Sequence, residues 1–222
     1  RDTCPLAPGQ YSHAMNAQTQ YFSLDGIAGS LECALDLPAD NAPRGIALVA
    51  HPHPLYGGTM DNKVVHTLVR SFVALGYAAF RMNFRGVGAS GGVHDGGAGE
   101  TDDMAQLLAY AQEKYPELPF ALSGFSFGTF VQAQLQKRLE AEGRSAERLV
   151  LVGTAAGKWP LPTVPAGTIL IHGEQDETIP LTNVFDWARP QDLPVLVVPG
   201  CDHFFNRKLQ HIKNHVVEMW LR

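Results

Sequence analysis

The chain has 222 residues, 45% hydrophobic and 18% charged, with a formal net charge of −5. That balance fits an ordinary globular domain with a substantial core and excludes a disordered or fibrous chain. The mild acidity supplies no basic stripe for nucleic acid or an anionic membrane.

Arg1 to Ala14 shows little periodicity and is expected to be an N-terminal extension, with Met15 a candidate natural start and residues 15–222 forming one domain. The three cysteines, Cys4, Cys33 and Cys201, show no C-x-x-C spacing. Neither a disulfide framework nor a zinc ribbon is implied, and a reducing, cytoplasmic setting is expected. No apolar run approaches the roughly 18 residues of a membrane helix.

Tyr21 to Asp25 and Gly29 to Leu37, separated by Gly26, suggest an opening antiparallel hairpin. Six nearly continuous apolar runs follow, at residues 45–50, 77–82, 120–123, 149–152, 168–171 and 195–198. Continuous runs imply strands covered on both faces. Between them lie helical spacings: Val64, Leu68, Val69, Phe72 and Val73; Met104, Leu107, Leu108 and Ala111; Val131, Leu135 and Leu139; Ile212, Val216, Met219 and Trp220. Asn62 or Asp61 is expected to cap the first, and Thr101 or Asp102 the second. This alternation specifies an α/β fold with a mostly parallel, doubly wound sheet.

Gly124-Phe125-Ser126-Phe127-Gly128 lies between the third run and the helical stretch after it. A sharp strand-to-helix turn forces its serine into a strained conformation and crowds positions two residues away, where glycine avoids collision. A turn hydroxyl capping the helix is the plainer reading of Ser126.

The hairpin, the alternation and G-x-S-x-G after the third run resemble the α/β-hydrolase superfamily over residues 20 to 222. His51-Pro52-His53-Pro54, Gly57-Gly58, Asn83-Phe84-Arg85-Gly86-Val87-Gly88 and Asp202-His203-Phe204-Phe205 resemble its small, lidless, dienelactone-hydrolase-like serine esterases from bacteria. In that fold the partners follow in the order serine, acid, histidine. The resemblance therefore implies a triad of Ser126, Asp176 and His203.

Glu174 and Glu177 lie close enough in sequence to compete for the acid's role. The family's H-G-x-x-D-x-x-[IV]-P loop favours Asp176 in His172-Gly173-Glu174-Gln175-Asp176-Glu177-Thr178-Ile179-Pro180. His172, His211 and His215 read as structural or surface positions.

An oxyanion needs two preorganised donors. One is expected from the backbone N–H of Phe127. Proline has no N–H, so the second comes from His51, His53 or Leu55. The family resemblance selects His53.

The pair His51 and His53, near His94 and Asp95, invites a metal reading, but H-x-H alone lacks a third ligand. No metal or other cofactor is expected. Instead, one imidazole should pack beneath the oxyanion loop and the other line the pocket. Arg85-Gly86-Val87-Gly88-Ala89-Ser90-Gly91-Gly92 does not fit a dinucleotide fingerprint. Ser90 precedes no helix, and Arg85 is expected to brace the loop through carbonyls or, less simply, to meet an anionic substrate group.

Only Thr154 to Gly167 is available where larger relatives insert a lid. The pocket should be open and shallow, bordered by His53, Leu55, Tyr56, Phe127, Trp159 and Phe204. Such a site suits short acyl esters better than long-chain lipids. The expected activity is a serine carboxylesterase-like hydrolase, with thioesterase, lactonase, peptidase, acyltransferase or a ligand-binding homologue as alternatives. The expected partner is a small-molecule ester, without nucleic acid or membrane, for a monomer or homodimer.

Overall fold

A computed structural model describes residues 19–221; the extension boundary, Met15 and Cys4 lie outside the described residues. The opening hairpin pairs β1 (Gln20–Gly26) with β2 (Gly29–Asp36), Gly26 opposite Gly29. Then follow β3 (Gly45–Ala50), α1 (Lys63–Ala74), β4 (Tyr77–Met82), α2 (Ala98–Lys114), β5 (Phe120–Phe125) and α3 (Phe127–Ala141). The last third adds β6 (Arg148–Val152), β7 (Ile169–Gly173), α4 (Leu181–Ala188), β8 (Val195–Val198) and α5 (Leu209–Trp220).

All eight strands form one sheet in the order β1-β2-β4-β3-β5-β6-β7-β8. The hairpin joins through an antiparallel β2–β4 pairing, and every pairing from β4 to β8 is parallel. This is the α/β-hydrolase arrangement, with residues 154–168 forming irregular loop and no substantial lid.

Side chains alternate across each strand, so the apolar runs feed two cores. Ile46, Leu48, Phe80, Leu122 and Leu151 pack against Met104 and Leu107 of α2 and Val131 and Leu135 of α3. Ala47, Val49, Ala121, Val150 and Ile171 pack against Val65, Leu68 and Phe72 of α1 and Ile212 and Val216 of α5. Each fully buried Leu, Val or Phe contributes roughly 1.5–3 kcal/mol relative to exposure.

Asn62 caps α1, its Oδ1 accepting the Val64 N–H at 2.8 Å. The start of α2 differs from the expectation. It begins three residues before Thr101, and Glu100 reaches back to accept the Gly97 N–H at 2.8 Å. Gly97 has φ +120°, and a β-carbon there would lie 2.6 Å from the Phe130 ring. The Gly97-Ala98-Gly99 start thus carries no apolar period to announce it. Helix α4 also lacks a counterpart among the predicted segments: it is eight residues long and buries only Val184 and Ala188.

Candidate active site

Ser126 sits where β5 gives way to α3, with φ +55° and ψ −122°. A positive φ is strained for a residue bearing a β-carbon. The flanking glycines make the turn sterically feasible. A β-carbon on Gly124 would lie 2.5 Å from Gly128 C, and one on Gly128 would lie 2.4 Å from the Ala50 carbonyl oxygen.

The loops after β7 and β8 bring Asp176 and His203 to this turn, at the carboxyl edge of the sheet. His203 Nε2 lies 3.0 Å from Ser126 Oγ, and His203 Nδ1 lies 2.6 Å from Asp176 Oδ2. All three residues are buried. With its proton on Nδ1, facing the carboxylate, the imidazole presents the Nε2 lone pair to the serine hydroxyl.

Asp176 is fixed in turn, its Oδ1 accepting the N–H groups of Thr178 at 2.9 Å and Ile179 at 2.7 Å. His172 Nε2 donates to the Ile179 carbonyl at 2.8 Å and stands 3.3 Å from Asp176 Oδ2. Burial lowers the His172 pKa. Glu174 instead accepts the exposed Gly200 N–H, and Glu177 is exposed. Asp176 is the one of the three acids that reaches His203.

Facing the serine is the turn that follows β3. His51 is buried beneath it, with Nδ1 2.6 Å from the Pro52 carbonyl and Nε2 accepting the Phe84 N–H at 2.9 Å. Burial pushes its pKa down to about 4. His53 opens the short 3₁₀ turn Pro54–Tyr56, its Nδ1 accepting the Leu55 N–H at 3.1 Å. That bond occupies one of the candidate oxyanion donors. The His53 ring lies among Tyr56, His94, Phe127 and Trp159, with centroids 4.7 to 5.5 Å away. Burial, then the nearby His94, lowers its pKa. Phe127 opens α3, where a backbone N–H has no intrahelical acceptor.

A cavity of about 560 Å³ opens above Ser126 and His203. His53, Tyr56, Trp159 and Phe204 line it, as expected from the sequence. Leu55 does not: at the middle of the 3₁₀ turn it is 70% exposed, away from the cavity. Phe127 is also off the lining, fully buried behind it. Sequence reasoning missed Lys158 and Thr178 as wall residues. Lys158 is legible only as the neighbour of Trp159.

Arg85 does not reach this cavity. Its Nε and Nη2 donate to both oxygens of buried Asp103, at 2.8 and 2.9 Å, and Nη2 also donates to the Gly99 carbonyl. A carboxylate is therefore its main partner, in place of the expected carbonyl bracing. His94 Nδ1 meets Glu100 Oε1 at 2.5 Å. Ser90 donates to the Asn83 carbonyl and accepts the Glu32 N–H, which ties its loop to β2. Among the described residues no cluster of three His, Cys, Asp or Glu side chains could hold a metal ion, and no helix is long and apolar enough to cross a membrane.

The family model described as serine aminopeptidase, S33, matches residues 42–192. The chain is 34% identical over 187 residues to the uncharacterized protein RP471 of Rickettsia prowazekii, covering 79% of this chain and 77% of that one. It resembles the lidless α/β serine hydrolase XC6422 of Xanthomonas campestris, with TM-score 0.83, 32% identity and coverage of 94% and 98% of the two chains. An α/β serine hydrolase homologue from Coxiella burnetii is similar at TM-score 0.81 and 31% identity, with 93% and 99% coverage.

Proposed function

The chain belongs to the serine aminopeptidase S33 family of α/β-hydrolases, in its lidless branch, and on that premise we propose that it cleaves small carboxylic esters through an acyl-enzyme intermediate. The observation that carries this reading is the continuous path from Ser126 Oγ to His203 Nε2 at 3.0 Å and from His203 Nδ1 to Asp176 at 2.6 Å.

A serine hydroxyl needs a base to accept its proton as it attacks. His203 Nε2 takes that proton, and Asp176 stabilises the imidazolium that forms. Charge then gathers on the former carbonyl oxygen. The N–H groups of Phe127 and His53 receive it, each donor contributing about 3 kcal/mol to the transition state. As the tetrahedral intermediate collapses, His203 gives its proton to the leaving alcohol, and it then activates water to release the acid. The open 560 Å³ cavity supports small substrates over long acyl chains, which it offers little apolar wall to enclose.

The family's description favours a second reading, an aminopeptidase. Such an enzyme must hold the α-ammonium of its substrate. The cavity is lined by Lys158 and by no acidic residue, which favours the ester reading.

Purified protein should hydrolyse p-nitrophenyl acetate and react with a fluorophosphonate probe, and Ser126→Ala should abolish both. Retention of either by Ser126→Ala would overturn Ser126 as nucleophile. Faster turnover of amino-acid p-nitroanilides than of esters would favour the aminopeptidase.

A further inference from the structure

One wall residue has no part in the chemistry described so far. Lys158 stands beside Trp159 on the turn after β6 and lines the same cavity as Ser126 and His203. The turn is well anchored. The Ala155 N–H donates to Thr129 Oγ1 at 2.9 Å, the N–H groups of Lys158 and Trp159 both donate to the Ala155 carbonyl, and Asn183 Nδ2 donates to the Ala156 carbonyl. Gly157 has φ +73°, and a β-carbon there would lie 2.6 Å from Asn183 Nδ2, so the chain passes tightly over α4 immediately before Lys158.

Charge makes this lysine distinctive. In a chain of net charge −5, the cavity is lined by one lysine and no acidic residue. Asp176 is hidden behind His203, bonded to it and to the loop N–H groups. Asp61, next to Asn62 in sequence, faces His66 and Arg81. Glu177, next to Thr178, is exposed and off the lining. Among the described residues no carboxylate lies within ion-pair distance of Lys158.

Lys158 is exposed where it lines the cavity, and a cation there with no anion supplied by the protein favours an anion in the substrate. We propose that the preferred substrates are small esters carrying a carboxylate a few bonds from the ester carbonyl, with Lys158 as the residue that determines this specificity. The inference rests on the ester-hydrolase reading of Ser126 and His203. It adds no chemical step, because the carboxylate is bound and leaves unchanged.

Two matched ester pairs test it and locate the anion: monomethyl glutarate against methyl pentanoate for the acyl side, and 4-acetoxybenzoate against its methyl ester for the alcohol side. In at least one pair kcat/KM should favour the anionic member by roughly tenfold, the equivalent of one charge-assisted hydrogen bond. That ratio should fall to about one in Lys158→Gln and be largely kept in Lys158→Arg, as loss and retention of the cation require. A ratio of one or less in both wild-type pairs, or an unchanged ratio in Lys158→Gln, overturns the proposal while leaving the ester reading intact. If no ester is turned over, the ester reading fails by itself. Calorimetric binding of monomethyl glutarate to Ser126→Ala then reads the same contact. Binding about tenfold weaker in Ser126→Ala/Lys158→Gln supports the role of Lys158, and equal binding overturns it.

Discussion

Asp176 holds His203 with one oxygen and its own loop with the other: Oδ2 lies 2.6 Å from His203 Nδ1, while Oδ1 accepts the N–H groups of Thr178 and Ile179. This division decides what Asp176→Asn would do. The two N–H groups require an acceptor, so the asparagine carbonyl takes their side and its NH₂ turns toward His203. Nδ1 must then become the acceptor and the proton moves to Nε2, facing Ser126. An imidazole in that tautomer cannot take the serine proton. Asp176→Asn should lower kcat roughly 10³- to 10⁴-fold while the protein stays folded. Ester turnover and a thermal melt check this, and a loss of only a few-fold would show that the carboxylate is dispensable.

The contact of Gly128 with Ala50 makes a steric test. Gly128→Ala puts a methyl group 2.4 Å from a backbone oxygen at the end of β3, and backbone on both sides must shift. Overpacking of this kind costs about 1–3 kcal/mol. The displaced segments carry Phe127 and the turn of His53, so kcat should fall beyond what the stability loss explains. Gly167→Ala, where nothing lies within 4 Å of the added carbon, is the control. Urea midpoints and initial rates for both variants decide the matter, and equal behaviour of the two would refute the steric account.

Much of this arrangement was legible in the sequence. The six apolar runs became six strands because unbroken hydrophobicity over four to six residues fits a strand covered on both faces. Strand ends in turn put Ser126, Asp176 and His203 on loops at the carboxyl edge of the sheet, while the choice of Asp176 over Glu174 and Glu177 came from the family resemblance. What stayed hidden depended on side-chain direction or distant pairing. Leu55 and Lys158 flank equally suggestive neighbours, yet the 3₁₀ turn directs the first outward and the turn after β6 sets the second on the cavity wall. Arg85 and Asp103 are 18 positions apart, with no periodicity linking them. The start of α2 was hidden because Gly97 and Gly99 were chosen for close approach to Phe130 and Arg85, against their helix propensity.

Stability should depend on pH through His51. Nδ1 faces the Pro52 carbonyl and Nε2 accepts the Phe84 N–H, so a second proton would set N–H against N–H. In the folded protein its pKa lies near 4, against 6.5 for an unperturbed histidine. Between those values the unfolded chain binds a proton that the folded one refuses. Stability is therefore full above about pH 6.5 and falls as pH drops toward 4, with a loss of roughly 2 kcal/mol from this group near pH 5. His51→Gln removes the titration. Urea denaturation at about pH 7.5 and pH 5 should show wild type losing about 2 kcal/mol more than the variant over that interval, and an identical loss in both would exclude His51 as the source.

Asp103 offers the sharpest test of the support beneath the site. It is fully buried, and its two oxygens receive the Arg85 fork at 2.8 and 2.9 Å. Arg85 adjoins Phe84, whose N–H meets His51 beneath the turn of His53. The pair thus fastens the loop after β4 to α2 and supports the turn of His53 from below. Asp103→Asn leaves a buried guanidinium without its anion, because Asp95, 3.5 Å away, is partly exposed and bonded to the Gly99 N–H. The cost should be roughly 3 kcal/mol. Arg85→Lys keeps the charge but cannot span both oxygens, so it should cost only part of that amount. Urea denaturation gives the stabilities and kcat the effect on the turn, which should fall in the same order. A cost below about 1 kcal/mol for Asp103→Asn would place the pair with ordinary surface ion pairs and remove it from the support of the site.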